Sequence, residues 1–191
     1  SAGNDVIKGQ DAANQLIGRG GSDRLEGHAG NDDLVGNGGD DMLIGGVGED
    51  RLTGGGGKDV LDGGAGNDTA VYVGTTGVTV DLAKAARNTG DAAGDKLISI
   101  ENVIGSAGND TLRGTAYDNR LVGGVGNDLL EGDWGVDVLE GGAGNDVLRG
   151  GAGSDRLFGG DGADRIVVDF GQDRVHGGGG QPELLLCVDG S

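Results

Sequence analysis

Three nine-residue units follow one another without a gap from residue 45 to residue 71, and they read GGVGEDRLT, GGGGKDVLD and GGAGNDTAV. Each unit has the form G-G-x-G-x-D-x-(apolar or small)-x. Self-similarity at a short fixed period is typical of a chain that coils into stacked repeats, in which each unit packs mainly against its neighbours. The repeat therefore constrains the fold more strongly than the composition does.

Each unit is expected to form a turn followed by a short strand. Glycine at positions one, two and four allows positive φ and close backbone approach, which suits a tight turn rather than a helix or a strand. The last three residues alternate like a strand with position eight buried, so two units make one coil and successive coils pair as parallel strands. This predicts an all-β parallel roll whose inward residues are Ile7, Leu16, Leu25, Leu34, Leu43, Leu52, Leu61, Ala70, Leu112, Leu121, Leu130, Leu139, Leu148, Leu157 and Ile166.

Position six of the unit is an aspartate, which we call the acid slot. Stacking places Asp50 over Asp68, and two bare carboxylates about 5 Å apart repel by roughly 3 kcal/mol at an effective dielectric constant of about 20. A cation between them reverses the sign of this interaction, and the glycine turns offer backbone carbonyls as further oxygen ligands. Irregular all-oxygen sites of high coordination number suit calcium better than magnesium. The repeat therefore predicts calcium binding.

The composition agrees with this interpretation. The 32 acidic and 14 basic residues give a net charge of −18, which argues against nucleic acid or an anionic membrane surface as a direct partner. One Trp, two Tyr and two Phe are too few for a conventional core. Cys187 is the only cysteine, which excludes an internal disulfide. Residues 1–20 hold no apolar run, so neither a signal peptide nor a membrane-inserting helix is expected there.

The register of the acid slots predicts four segments. Residues 1–71 form a first roll block, 105–176 form a second block, and 177–191 form a C-terminal cap or tail. Residues 72–104 form a spacer with short strands, because the interval from Asp68 to Asp110 is not a multiple of nine. Within this spacer residues 90–98 still resemble a unit, which makes Asp91 and Asp95 additional, weaker candidates for calcium contact.

The acid slots supply the predicted carboxylate ligands. Asn14 and Asn119 occupy this slot in the second unit of each block, so weakened sites are expected around them. Ten Asp–Asp pairs lie eighteen residues apart, and two more pairs exist if the asparagines serve as ligands, which predicts about ten to twelve calcium ions. The acid-slot aspartates are Asp5, Asp23, Asp32, Asp41, Asp50, Asp59, Asp68, Asp110, Asp128, Asp137, Asp146, Asp155, Asp164 and Asp173.

The units GGVGED, GGGGKD, GGAGND, GGVGND, GGAGSD and GGDGAD resemble the nonapeptide of the RTX, or haemolysin-type, calcium-binding repeats. The resemblance extends over nearly the whole chain outside residues 72–104, and that stretch resembles the spacer between RTX blocks. It implies a parallel β-roll from the C-terminal RTX region of a protein exported by the type I secretion machinery of a Gram-negative type of bacterium. It also implies that the chain is unfolded in the low-calcium cytosol and folds with calcium outside the cell.

The resemblance also implies a set of carbonyl ligands. In the family, each ion takes the carbonyls of positions two and four and the aspartate of one turn. The stacked turn adds the carbonyls of positions one and three and its own aspartate. On this sequence positions two and four are Gly46, Gly48, Gly124, Gly126, Gly142 and Gly144, and positions one and three are Gly63, Ala65, Gly141, Ala143, Gly159 and Asp161.

Three functions are compatible with this pattern. The favoured one is a non-catalytic module for calcium-dependent folding and secretion of a larger exported toxin, enzyme or adhesin. Catalysis within this chain is not expected, because neither H-E-x-x-H nor G-x-S-x-G occurs and His28 and His176 lie in different repeats, so an enzyme would carry its catalytic domain elsewhere. The third is an adhesin or polysaccharide-binding repeat, in which Arg156 and Arg174 stack on one outward face.

Overall fold

The computed structural model describes residues 2–179 and 184–187, which form parallel β-structure with two short 3₁₀ helices, Ala85–Arg87 and Gly90–Ala92. None of the described residues belongs to a helix long and apolar enough to cross a membrane. The strands are β1 (Val6–Lys8), β2 (Gln15–Gly20), β3 (Arg24–Ala29), β4 (Asp33–Gly38), β5 (Met42–Val47), β6 (Arg51–Gly56), β7 (Val60–Ala65), β8 (Thr69–Val71), β9 (Thr79–Asp81), β10 (Lys96–Ile98), β11 (Asn102–Ile104), β12 (Thr111–Arg113), β13 (Arg120–Val125), β14 (Leu129–Trp134), β15 (Val138–Ala143), β16 (Val147–Ala152), β17 (Arg156–Asp161), β18 (Arg165–Val168), β19 (Arg174–Gly179) and β20 (Leu184–Cys187).

The described residues divide into two compact units. Residues 2–73 and 84–102 form the first unit, in which β1, β3, β5, β7 and β10 make one parallel sheet and β2, β4, β6 and β8 pair in that order on another face. Residues 74–83 with the described residues from 103 onward form the second unit. There β9, β12, β14, β16, β18 and β20 make one sheet, and β13, β15, β17 and β19 pair in that order. The all-β parallel roll is confirmed within each unit.

Between neighbouring strands of the nonapeptide units, the register is the predicted eighteen residues. Leu25 pairs with Leu43, and Leu43 pairs with Leu61, so that position eight of one nonapeptide lies over position eight of the nonapeptide stacked on it. From Leu25 to Leu61 and from Leu112 to Leu157 these leucines are completely buried, which confirms the predicted inward ladder. Only its first member, Ile7, is half-buried.

The strands are longer than the sequence predicts. Most contain six residues and continue from position seven of one unit through position three of the next, as β6 does from Arg51 to Gly56. The prediction that the first six residues of a unit exclude strand structure is therefore wrong. Gly46 still pairs with Gly64 although both have positive φ, because glycine carries the parallel ladder through a bend that a side chain would obstruct. The corner of each coil begins only at position four.

The predicted short strands between residues 72 and 104 continue the coil ladders. In the first unit β10 pairs with β7, and Leu97 stands opposite Leu61. In the second unit β9 pairs with β12, and Val80 stands opposite Leu112. The division of the chain into four segments remains a prediction.

Candidate metal centre

The acid-slot residues of each unit form a hydrogen-bonded ladder. The backbone N–H of each slot residue donates to Oδ1 of the aspartate eighteen residues later, for example from Asp50 to Asp68 at 2.8 Å and from Asp137 to Asp155 at 2.9 Å. All twelve pairs expected from the sequence make this bond, including the pairs that begin at Asn14 and Asn119. The ladder fixes each carboxylate in the same orientation from coil to coil.

The second carboxylate oxygen has no hydrogen-bond partner in most of these slots. An ionised oxygen that is buried without a partner is destabilising, since its lost hydration is not replaced. This side-chain arrangement fits a bound cation, because an ionised carboxylate oxygen can coordinate a cation in place of the hydrogen-bond donor that it does not have. The buried, unpartnered oxygens are Oδ2 of Asp23, Asp32, Asp41, Asp50, Asp59, Asp68, Asp128, Asp137, Asp146, Asp155, Asp164 and Asp173.

A cradle of oxygen atoms lies beside each unpartnered carboxylate. A Cβ atom placed on Gly45 would collide with Asp50 Oδ2 and lie 2.7 Å from the carbonyl oxygen of Gly63 in the next coil. The position-one glycines Gly27, Gly36, Gly123, Gly132, Gly141 and Gly159 meet the same two kinds of oxygen. Position one is therefore glycine because the space in front of it is shared by a carboxylate and a carbonyl.

The carbonyls predicted from positions two to four also lie between stacked turns. The carbonyl oxygens of Gly46 and Gly48 approach the backbone of Gly64 and Gly66 in the following coil. The carbonyl of Ala65 points back and accepts the N–H of Gly48 at 2.9 Å. Turn 45–50 and turn 63–68 thus direct carbonyl oxygens towards each other, as a shared cation requires.

The second unit repeats this geometry at the other predicted carbonyls. Gly142 and Gly144 closely approach the carbonyl oxygens of Gly124 and Gly126, and Gly160 and Gly162 approach those of Gly142 and Gly144. Ala143 O accepts the N–H of Gly126 at 2.9 Å, and Asp161 O accepts the N–H of Gly144 at 2.7 Å. The carbonyls of Gly141 and Gly159 lie beside the position-one glycines of the preceding coil. Their role as ligands remains a prediction.

Burial raises the pKa of eight carboxyl groups in this ladder, those of Asp41, Asp50, Asp59, Asp68, Asp128, Asp137, Asp146 and Asp155. Loss of hydration is the main cause, and the neighbouring carboxylates add to it. The pKa is raised to about 6 for Asp59, Asp68 and Asp128 and to about 7 for Asp137. Because a nearby cation would lower these values again, the raised pKa values mark the places where positive charge is most stabilising.

Three turns are closed by their own backbone. In turns 9–14 and 114–119 the N–H at position two, from Gln10 or Thr115, donates to the Oδ1 atom of the slot asparagine at 2.7 Å. In turn 105–110 the N–H of Ser106 donates to Asp110 Oδ2, also at 2.7 Å. None of these position-two residues has the positive φ found in the regular turns, so the peptide N–H faces the slot. A hydrogen-bond donor there competes with a cation, which gives a structural reason for the weakened sites expected around Asn14 and Asn119.

Asp110 was predicted as an ordinary ligand, and the sequence reasoning overlooked Ser106. The available signal was the serine at position two of GSAGND, where a regular unit has glycine. Its hydroxyl also donates to Asp110 Oδ1 at 2.8 Å, so both oxygens of this carboxylate have partners inside the same turn. Turn 105–110 is therefore the weakest Asp-containing candidate in the second unit.

The two candidates in the spacer differ from each other. Asp95 is buried and its Oδ1 accepts the N–H of Asp59 at 2.9 Å, so it continues the acid ladder of the first unit. Its Oδ2 accepts a hydrogen bond from the Tyr72 hydroxyl at 3.3 Å. Burial beside Asp95 raises the pKa of Tyr72, which keeps that hydroxyl a donor. Asp91 is exposed and does not enter the ladder.

Opening a closed turn is expected to add one bound calcium ion. The triple variant Thr115→Gly, Tyr117→Gly and Asn119→Asp converts turn 114–119 into a regular unit whose acid slot faces Asp137. Native mass spectrometry of the calcium-loaded chain should therefore show one more ion than in the wild type. The control is Tyr117→Gly alone, which leaves the asparagine and its N–H bond in place and should not change the count. An unchanged count in the triple variant would contradict this account of the closed turns.

Side chains alone do not complete these sites. Among the described residues no group of three or more His, Cys, Asp and Glu side chains is placed to hold a metal ion. Each candidate site has two carboxylates, so any further ligands must be backbone carbonyls or water. Hard oxygen ligands of this kind are typical of calcium.

Comparison with known proteins agrees with the geometry. A family model, HemolysinCabind, described as the RTX calcium-binding nonapeptide repeat (4 copies), matches residues 1–34, 35–70, 104–139, 131–166 and 150–181. A search of curated proteins finds no significant match. The matched segments contain all the acid-slot residues of the nonapeptide units and leave out residues 71–103.

Proposed function

The chain belongs to the family of RTX calcium-binding nonapeptide repeats, and we propose that at neutral pH it folds only when calcium fills its acid-slot turns. The observation that carries this proposal is the series of buried aspartate oxygens without a hydrogen-bond partner. Bound calcium would supply positive charge and accept oxygen ligands from two stacked turns at once. Each ion would therefore join coils that otherwise repel each other, and binding free energy would become folding free energy.

The residues that would hold the ions follow from the ladder geometry. In the first unit the best-formed example comprises Asp50 and Asp68 with the carbonyls of Gly46, Gly48, Gly63 and Ala65. In the second unit the equivalent sets are built around Asp128 with Asp146 and around Asp146 with Asp164. The upper figure of twelve ions includes turns 9–14 and 114–119, in which asparagine fills the acid slot, so we propose about ten ions, with the site of Asp110 the weakest among them.

Coupling of folding to calcium binding would suit a protein that is exported from the cell. We propose that the chain remains unfolded where calcium is scarce, which suits passage through the type I secretion machinery, and that it folds and stabilises a larger exported protein outside the cell. The family is a calcium-binding structural one, so we assign no catalytic step to this chain. A calcium titration of the metal-free protein tests the proposal, since bound ions and β-sheet must increase together.

A basic patch in the second unit favours a second candidate function, binding of an acidic polysaccharide. Arg156 and Arg174 are exposed, stand opposite each other on β17 and β19, and form no ion pair with any described residue. Arg156 lies over the Phe158 ring at 5.7 Å, and His176 packs against that ring edge-on. Beside them a shallow cavity of about 360 Å³ is lined by Phe158, Glu140 and the glycines Gly142, Gly159 and Gly160.

The double variant Arg156→Ala and Arg174→Ala tests this second candidate. Binding to uronic-acid polysaccharides on a glycan array is expected for the calcium-loaded wild type and should fall by about tenfold or more in the variant, because two charge-assisted contacts are lost. Arg149→Ala is the matched control, since Arg149 is paired with Glu131 and lies on another sheet. Equal binding by wild type and double variant would refute the second candidate.

A further inference from the structure

The turn 63–68 has no nonapeptide unit stacked on its outer side. The next unit of the pattern would lie eighteen residues later, but residues 81–86 read DLAKAA. Instead β10 pairs with β7, so that Ile98 stands opposite Asp62 and Ser99 follows opposite Gly63. Residues 99–101 therefore take the place of a repeat turn.

Ser99 supplies the carbonyl that a position-one glycine supplies elsewhere. A Cβ atom placed on Gly63 would collide with the carbonyl oxygen of Ser99 and lie 2.5 Å from Asp68 Oδ2. This is the same pair of oxygens that surrounds Gly45, where Asp50 Oδ2 faces the carbonyl of Gly63. Ser99 has a φ of 48°, a left-handed conformation that non-glycine residues adopt at some energetic cost and often at functional sites.

Glu101 supplies the second carboxylate. The N–H of Asp68 donates to Glu101 Oε2 at 2.9 Å, which matches the ladder bond from Asp50 N–H to Asp68 Oδ1 at 2.8 Å. The three residues 99–101 replace the six residues 63–68 of a regular turn, and the glutamate side chain is one methylene longer than that of aspartate. The longer glutamate side chain therefore lets the Glu101 carboxylate occupy the position of an acid-slot aspartate, although it comes from a shorter turn.

Asp68 provides an independent indication of a ligand site here. Its side chain is 0 % exposed, and its Oδ2 atom has no hydrogen-bond partner although it lies in the space before Gly63. The other row of acid slots in the first unit ends differently, at Asp59 and Asp95. There the Tyr72 hydroxyl donates to Asp95 Oδ2, and the three atoms nearest to a Cβ on Gly54 all belong to Asp59, so that no carbonyl from the spacer is among them. The spacer thus supplies a hydroxyl donor to Asp95 but a carbonyl oxygen beside Asp68.

We propose that Asp68, Glu101 and the carbonyl of Ser99 bind one calcium ion outside the nonapeptide pattern. This inference rests on the proposed calcium binding by the regular turns, whose geometry it extends. The site attaches residues 99–101 to turn 63–68 within the first unit, so that calcium orders the last turn of this ladder as well as the earlier ones. The spacer is then a part of the calcium-binding surface and not merely a linker.

Counting bound ions in charge-neutralising variants tests the site. Glu101→Gln keeps an oxygen that can accept the N–H of Asp68 but removes the negative charge, so native mass spectrometry in calcium should show one ion fewer than in the wild type. Asp68→Asn should lose two ions, because Asp68 faces both Asp50 and Glu101. The matched control is Glu49→Gln, an exposed acid beside an acid slot, which should retain the full count.

Each result has a definite meaning. An unchanged count in Glu101→Gln, with a loss of only one ion in Asp68→Asn, would overturn the site while leaving the regular sites intact. A wild type that binds no calcium would instead refute the proposed function. Circular dichroism and amide hydrogen exchange are measured on the same calcium-loaded samples. In Glu101→Gln, the proposed site predicts that amides lose protection from exchange only in residues 96–102. Loss of β-sheet throughout the first unit would overturn the proposal, because it would assign Glu101 a structural role instead.

Discussion

Removal of calcium at neutral pH is expected to abolish the β-sheet signal of this chain in far-ultraviolet circular dichroism. The folded state buries twelve carboxylate oxygens without a partner, and an unsatisfied buried polar group costs about 1–3 kcal/mol, more when it is charged. Twelve such oxygens cost about 12–36 kcal/mol, which matches or exceeds the roughly 5–15 kcal/mol by which a typical domain is stable. The apolar core cannot compensate, since each nonapeptide contributes a single buried leucine or a similar residue.

Adding calcium back should restore the sheet in a cooperative transition. Stacked coils stabilise their neighbours, so that filling one turn orders the ligands of the next. Trp134 is 67 % exposed and occupies position three of turn 132–137, and its fluorescence should therefore report on the second unit during the same titration.

Two controls separate ligation from charge screening. Magnesium at the same concentration should not restore the sheet, because it requires a tighter octahedral shell than these irregular turns offer. Sodium chloride at about 0.1 M reduces repulsion between exposed charges but leaves buried oxygens without a ligand, and it should also fail. A chain that retains its full β-sheet signal after removal of calcium would refute calcium-coupled folding.

The ladder positions were predictable because period and stacking leave little freedom. Once two units make a coil, residues eighteen apart must lie over each other, and this places Leu43 over Leu61 and Asp50 over Asp68 without further information. The length of the strands was not predictable from propensity, because glycine is a poor strand former. Gly46 and Gly64 remain in the parallel ladder because the close approach of stacked carbonyls excludes a larger residue, and that constraint comes from the neighbouring coil.

The exceptions to the pattern were harder to predict than the pattern itself. The asparagines at positions 14 and 119 are visible as departures, but the closure of turn 105–110 depends on the backbone conformation of Ser106. The pairing of Asp68 with Glu101 spans 33 residues and follows no period, so it requires knowledge of how β10 joins β7. The sequence therefore predicts this chain well where the coils repeat, whereas in the spacer it predicts the short strands and Asp95 but not the contact between Asp68 and Glu101.

Acidification is expected to have opposite effects on the metal-free and calcium-loaded chains. In the folded chain burial raises the pKa of Asp59, Asp68 and Asp128 to about 6 and that of Asp137 to about 7, whereas an unfolded aspartate has a pKa of about 3.9. Between these values the folded state binds more protons than the unfolded state, so protonation favours folding. This contribution is complete below about pH 4 and is lost as the pH rises through about 6 to 7. The metal-free chain should thus regain β-sheet on acidification from about pH 8 to about pH 5.

The calcium-loaded chain should instead become less stable over the same range, because protons compete with calcium for the same carboxylates. Calcium is first removed with a chelator, and the chelator is then removed by gel filtration. The metal-free chain and the calcium-loaded chain are compared by thermal unfolding at both pH values. Asp137→Asn separates the two effects at one slot. Without metal its neutral amide should give more sheet at about pH 8 than the wild type has, whereas in calcium it should bind fewer ions. Metal-free wild type that gains no sheet between about pH 8 and about pH 5 would show that charge burial is not what prevents folding without calcium.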